Sequence, residues 1–117
     1  MNIIILAAGI GKRLKNQNII HKSFLKINKY TIIENLIINF KKFKIKIVIG
    51  FNGAKIKKEL SKYKDITFIN NQYFKSTEML YSLTLGIKNS KEDDILITYS
   101  DIIYDYNKIQ NFFSQKK

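Results

Sequence analysis

Near the amino terminus, Leu6-Ala7-Ala8-Gly9-Ile10-Gly11-Lys12-Arg13-Leu14 places two glycines and two cations directly after an apolar run. Glycine has no Cβ, so backbone N–H groups can turn inward and an anion can approach the chain closely. Lys12 and Arg13 can then neutralise phosphate oxygens, Arg13 through its planar fork. Ala7 and Ala8 are small enough for a flat base to lie against the backbone. Spacing excludes two better-known glycine motifs. A dinucleotide fingerprint needs Gly or Ala where Leu14 stands, and an acidic residue where Gly50-Phe51-Asn52 stands. A Walker A loop needs Gly at Leu6 and Ser or Thr at Arg13. On residue types alone the loop is either a phosphate cradle or a tight turn with incidental cations. Asp101 is the second group of interest, since it closes an apolar run. A carboxylate there either holds a metal or caps the following turn. Asp105 is a weaker candidate for the metal role, or a helix cap for Asn107 onward. Glu92-Asp93-Asp94 reads as a solvated turn at the opposite end of that run. His21, the one histidine, makes no metal site by itself.

The elements that must position these groups follow from periodicity. Asn2 to Ala7, Lys44 to Gly50, Asp65 to Asn70 and Asp94 to Tyr99 read as strands. They are mostly apolar without clean alternation, which predicts burial on both faces. Helical stripes lie between them. Thr31 to Phe43 carries Ile32, Ile33, Leu36, Ile37 and Phe40 on one face, with Thr31 as N-cap and Glu34 completing a capping box. Gly53 to Tyr63 carries Ile56, Leu60 and Tyr63. Thr77 to Ile87 carries Leu80, Leu83 and Ile87, capped by Ser76 or Thr77. Asn107 to Ser114 is a last short helix. This alternation predicts one α/β domain, residues 1–117, with a mainly parallel sheet and right-handed crossovers. Open sheets of this class bind ligands at the carboxyl ends of their strands. Both the glycine turn and Asp101 fall there. The first crossover carries a long loop, Lys12 to Tyr30, and loops of that length are usually functional.

The 117 residues hold 45% hydrophobic side chains, enough for one core, and no cysteine. Disulfides and thiolate chemistry are thereby excluded, and a reducing cytoplasm is permitted. The longest apolar run, Ile3 to Ala8, falls far short of the roughly 20 residues a bilayer span needs. The net charge of +12 comes from 21 Lys+Arg against 9 Asp+Glu. The lysines are spread over all segments, so they read as solvation and not as one nucleic-acid stripe. No recognised RNA-binding motif is present, and no specific nucleic-acid partner is expected.

Leu6 to Leu14 resembles the L-A-A-G-x-G-x-R-L signature of sugar-phosphate and choline-phosphate nucleotidyltransferases. The resemblance implies that Leu6, Ala7, Ala8, Gly9, Gly11, Lys12 and Arg13 hold a nucleoside triphosphate. His21-Lys22-Ser23-Phe24-Leu25 resembles the P-K-x-L element, with His21 in place of proline, and gives Lys22 the role of a cation near the reacting phosphates. Asn70-Asn71-Gln72-Tyr73 with Ser76-Thr77-Glu78-Met79-Leu80-Tyr81-Ser82-Leu83 resembles the N-x-x-Y … T-N-M-x-x-S-L stretch beside base and ribose. It implies nucleotide contacts from Asn71, Thr77 and Ser82, with Glu78 where asparagine is common. Ile97-Thr98-Tyr99-Ser100-Asp101-Ile102-Ile103-Tyr104 resembles S-Y-G-D-I-x-F, with Ser100 for glycine. Asp101 thereby takes the place of the first metal-binding aspartate, and Mg²⁺ is the implied cofactor.

Arg13, Lys22 and Asp101 are the expected catalytic residues. The implied fold is a Rossmann-like three-layer sandwich, a truncated nucleotidyltransferase fold. The implied reaction moves a nucleotidyl group, from CTP by preference, to a phosphorylated small acceptor such as phosphocholine or a sugar phosphate, and releases pyrophosphate in the cytoplasm. Family members continue past this aspartate into a region with most of the acceptor site and a second metal-binding aspartate. The chain is therefore expected to be a nucleotide-binding half, prone to self-association or in need of a carboxyl-terminal half. The competing expectation is a non-catalytic nucleotide-binding or regulatory module.

Overall fold

The computed structural model of the chain describes residues 2–8, 22–71, 79–88 and 94–115. Its main sheet has four parallel strands: β1 (Asn2–Ala7), β4 (Lys44–Ile49), β5 (Ile66–Asn70) and β6 (Ile95–Tyr99), in the order β5-β4-β1-β6. β1 lies in the middle and is buried along its whole length, which is why its sequence lacks alternation. Its register runs Asn2 opposite Lys44 to Ala7 opposite Ile49 on one side, and Asn2 opposite Ile95 to Leu6 opposite Tyr99 on the other. The chain moves outward from β1 through β4 to β5, then crosses back to β6. The direction reverses between β1 and β6, so the topological switch point lies at their carboxyl ends.

Both faces of the sheet are covered. On one, Ile3, Ile5 and Ala7 pack with Ile33, Leu36, Ile37 and Phe40 of α1 (Ile32–Asn39) and with Ile56 of α2 (Gly53–Glu59); Tyr106 and Ile109 of α4 (Tyr106–Gln115) join them. On the other, Ile4, Leu6, Ala8 and Val48 meet Leu83 of α3 (Met79–Lys88). This is the three-layer α/β arrangement. Burying an isoleucine fully stabilises the fold by about 1.5–3 kcal/mol. Ile3, Ile4 and Ile5 are all completely buried in consecutive positions of β1. Among the described residues, no helix is long and apolar enough to cross a membrane.

The helices depart from their sequence expectations in instructive ways. α1 starts where expected, with Thr31 as N-cap and both halves of the capping box formed by Glu34. It stops at Asn39, four residues before Phe43, because Lys41-Lys42 must turn the chain into β4. Its stripe of Ile32, Ile33, Leu36, Ile37 and Phe40 is buried as expected. α2 ends at Glu59 and not at Tyr63, yet Tyr63 still packs on the core from the following turn. In α3 the expected inward stripe is wrong at Ile87, which is 43% exposed. Gly86 faces the sheet instead, and a Cβ there would lie 2.6 Å from Ile4 Cγ2. The start of this helix before Met79 falls outside the described residues.

The described part of the first crossover is more ordered than a plain loop. Lys22–Phe24 form a 3₁₀ turn, and β2 (Lys26–Ile27) pairs antiparallel with β3 (Tyr30–Thr31). Asn28 begins the two-residue connection with φ 62°, a left-handed conformation that asparagine tolerates well.

Candidate functional site

The carboxyl edge of the sheet is tied together by backbone hydrogen bonds between neighbouring strands. Leu6 C=O accepts the Ser100 N–H at 3.1 Å, and Ala8 C=O accepts the Phe51 N–H at 3.4 Å. Ile49 C=O accepts the Asn71 N–H at 2.7 Å. Asn71, Phe51, Ala8 and Ser100-Asp101 therefore follow one another along a single edge. In a strand-helix-strand crossover with parallel strands, the helix runs back antiparallel to them. The amino ends of α1 and α2 consequently lie at this same edge. Helix dipoles favour anions at such an edge, but the first N–H groups are partly used within the fold: the Ile32 N–H bonds the Leu25 C=O, the Glu34 N–H bonds Thr31 Oγ1, and the Gly53 N–H bonds the Gly50 C=O.

Asp101 sits half-buried directly after β6, on the strand next to β1. The segment around it is held at several points. Ser100, 1% exposed, is bonded to β1 through its N–H. Thr98 Oγ1 lies 2.9 Å from Tyr99 O and 2.6 Å from the Tyr104 hydroxyl. Asp105 has a different task. Its Oδ1 accepts the Lys108 N–H at 3.3 Å and its C=O accepts the Ile109 N–H, so it caps α4. Among the described residues, no group of three or more His, Asp or Glu side chains is placed to hold a metal ion. A single carboxylate still fits Mg²⁺, which usually takes one or two carboxylates and fills its other positions with waters and substrate phosphates. Asp101 would be that ligand.

Other expected site residues distribute as follows. Leu6, Ala7 and Ala8 bring β1 to the edge, and Ala8 is 6% exposed. Gly9, Gly11, Lys12, Arg13 and Thr77 lie outside the described residues, as do His21 and Tyr73. Lys22 opens the 3₁₀ turn, followed by the fully buried Ser23. Ser82 lies within α3. Asn71 reaches the edge, but at 1% exposure it is enclosed, so it shapes the edge from within. Two residues named in the sequence motifs gain a structural role only here. Phe51 is bonded to Ala8 and follows β4 in the run Gly50-Phe51-Asn52, where the glycine marks a strand end. Tyr104 occupies the aromatic position of the S-Y-G-D-I-x-F pattern, and its hydroxyl bond to Thr98 needed the fold to be seen.

Residues 3–115 match the family described as the MobA-like NTP transferase domain. No curated protein matches the chain. Several solved structures do. A CTP:phosphocholine cytidylyltransferase from Streptococcus pneumoniae is 26% identical with a TM-score of 0.72, over 86% of this chain and 44% of that one. The inositol-1-phosphate CTP transferase from T. maritima is 18% identical with a TM-score of 0.73, over 99% and 49%. A nucleotidyl transferase from Methanothermobacter thermautotroptrophicus is 23% identical with a TM-score of 0.71, over 86% and 50%. The chain thus spans about half the length of the structures it matches.

Proposed function

We propose, from the premise that this chain belongs to the MobA-like NTP transferase domain family, that it binds a nucleoside triphosphate at the carboxyl edge between β1 and β6 and takes part in magnesium-dependent nucleotidyl transfer. The observation that carries this reading is that Ala8 and Asp101 follow the carboxyl ends of the neighbouring strands β1 and β6 at the switch point. CTP is the favoured nucleotide, and the acceptor is a small phosphorylated molecule of the phosphocholine or sugar-phosphate type. The likeness to the pneumococcal cytidylyltransferase supports that choice. A chain without cysteine suits the cytoplasm as the place of action.

In this reading an acceptor phosphate oxygen attacks the α-phosphorus in line. The bond from that phosphorus to the bridging oxygen breaks, and pyrophosphate leaves with the electron pair. No covalent enzyme intermediate is needed, so the protein contributes position and charge. Gly9 and Gly11 offer backbone N–H groups to the phosphates, with Leu6, Ala7, Ala8 and Lys12 forming the rest of the cradle. Arg13 and Lys22 offset the charge that gathers on the phosphates. Thr77 and Ser82 hold the nucleoside, and Asn71 shapes its pocket. Asp101 would hold Mg²⁺, which when bound neutralises phosphate charge. Lys22→Ala should lower kcat with little change in KM, because a cation aimed at the reacting phosphate acts mainly in the transition state. Initial-rate kinetics decide it, and a raised KM at unchanged kcat contradicts that role.

Two measurements test the whole reading. Calorimetric titration with CTP, UTP, ATP and GTP in Mg²⁺ tests binding, and CTP should bind tightest. Pyrophosphate release with phosphocholine or glucose 1-phosphate present tests transfer, and it should depend on the acceptor. If no triphosphate binds, the reading fails outright. Binding without release, alone or with a carboxyl-terminal half supplied, leaves a nucleotide-binding module and removes the enzyme.

A further inference from the structure

We infer that Tyr104 is a positioning residue for the Asp101 carboxylate, acting through a hydrogen-bond relay with Thr98; this rests on the metal-holding role proposed for Asp101. Thr98 Oγ1 is within bonding distance of two oxygens, Tyr99 O at 2.9 Å and Tyr104 Oη at 2.6 Å. A threonine hydroxyl carries one proton, and a carbonyl carries none. Thr98 must therefore donate to the Tyr99 carbonyl, and Tyr104 must donate to Thr98. Both directions are fixed by this count. The relay runs from Tyr104 O–H to Thr98 Oγ1, then from Thr98 O–H to the Tyr99 C=O.

The relay closes the chain on itself from Thr98 to Tyr104, and Asp101 is the middle residue of the closed loop. One limb of the loop is fixed to β1 by the Ser100 N–H to Leu6 C=O bond, 3.1 Å. The other limb, 102–105, has no regular secondary structure, and Ile103 within it is 64% exposed. Tyr104 is what returns that limb to the fold. Its ring meets Tyr106 edge-on at 6.1 Å between centroids, and Tyr106 meets the fully buried Phe40 edge-on at 5.9 Å. The ring contacts set where Tyr104 lies. The hydroxyl sets how far the returning limb stands from β6, and so where the loop carries Asp101. Mg²⁺ demands near-octahedral coordination at short distances, so a small displacement of a ligand is expensive. A partner bonded directly to a metal ligand typically contributes about 10–100-fold to metal affinity; Tyr104 acts on Asp101 through the loop and not through a direct bond, so the lower end of that range applies.

The test compares CTP affinity by calorimetry in Mg²⁺ and again in EDTA; their ratio is the metal enhancement. Asp101→Asn should abolish the enhancement and leave the EDTA affinity unchanged. Tyr104→Phe keeps the ring and removes the first donor of the relay. Its enhancement should fall by about tenfold or to none, with the EDTA affinity unchanged. Thr98→Val should behave like Tyr104→Phe, and Thr98→Ser, which keeps a hydroxyl, should behave like wild type. Full enhancement in Tyr104→Phe beside none in Asp101→Asn overturns the positioning role and leaves the metal assignment standing. Full enhancement in Asp101→Asn, or none in wild type, overturns the metal assignment and this inference with it. Equal losses in Mg²⁺ and EDTA for both Tyr104→Phe and Thr98→Val mark a general weakening of the fold, and overturn the inference as well.

Discussion

Glu34 is a carboxylate whose chemistry is strongly altered by the fold. Burial raises its pKa, but hydrogen bonds from Tyr63, the Thr31 backbone, Lys62 and the Thr31 hydroxyl outweigh that and bring it from 4.5 to about 2. The Tyr63 hydroxyl donates to Oε2 at 2.5 Å, and Lys62 Nζ lies 3.2 Å from the same oxygen. Oε1 accepts from the Thr31 N–H and the Thr31 hydroxyl, both at 3.1 Å. One carboxylate thus caps α1 and fastens it to the turn after α2. Because the folded pKa is depressed, the unfolded chain takes up this proton more readily. The stabilisation is therefore complete above pH 4.5 and is lost as pH falls towards 2. Urea unfolding of wild type and Glu34→Gln should show a stability gap at neutral pH that narrows across this window. A gap that stays constant down to pH 2 contradicts the assignment. Tyr63→Phe, which removes a bond to a charged group, should cost about 1.5–3 kcal/mol at neutral pH.

At the scale of elements, α3 sits on the sheet through Gly86. Alanine normally favours a helix over glycine by about 1 kcal/mol. At Gly86 the added methyl would lie 2.6 Å from Cγ2 of the fully buried Ile4, a short branch in a packed strand that cannot move aside. Overpacking of this kind costs about 1–3 kcal/mol. Gly86→Ala should therefore lower the melting temperature, and a raised one would show that α3 stands further from β1. This contact also marks the limit of what the sequence discloses. The alternation of strands and helices, the burial of β1 and the Thr31-Glu34 capping box are legible because each rests on local pattern: apolar periodicity, an unbroken apolar run, or residue types three apart. Ile87 was misplaced because a helical stripe assumes that large apolar residues face inward, whereas close approach favours the residue with no side chain. The β2–β3 hairpin was missed because its strands are two residues each, too short for periodicity, and only Asn28 signals the turn. The ends of α1 and α2 were set by where the chain must turn, which is a tertiary fact. For the site, the edge carrying Ala8 and Asp101 follows from β-α-β order, but the Thr98–Tyr104 relay joins groups whose meeting depends on the loop between them.

For the whole molecule, the sheet has two edges of different character. On β5, Lys57 Nζ lies over the Phe68 ring at 5.9 Å, which sets a charge beside that edge. β6 pairs only with β1 among the described residues, and Ile95–Tyr99 holds no charged side chain. Ile97 and Tyr99 are 39% and 47% exposed there. An uncharged strand edge with apolar neighbours recruits partners. Size-exclusion chromatography with light scattering should find dimers or larger species at assay concentrations, and Ile97→Lys should shift them towards monomer. A wild-type monomer at every concentration contradicts this. The central claim, however, concerns the carboxyl end of β1, after which the sequence continues into Gly9 and Gly11. Calorimetric titration of CTP in Mg²⁺ into wild type and Gly11→Val tests it most directly. A side chain placed where the triphosphate must approach should weaken binding at least about tenfold, near 1.4 kcal/mol. Equal affinity in the two proteins would show that the triphosphate does not lie on this loop.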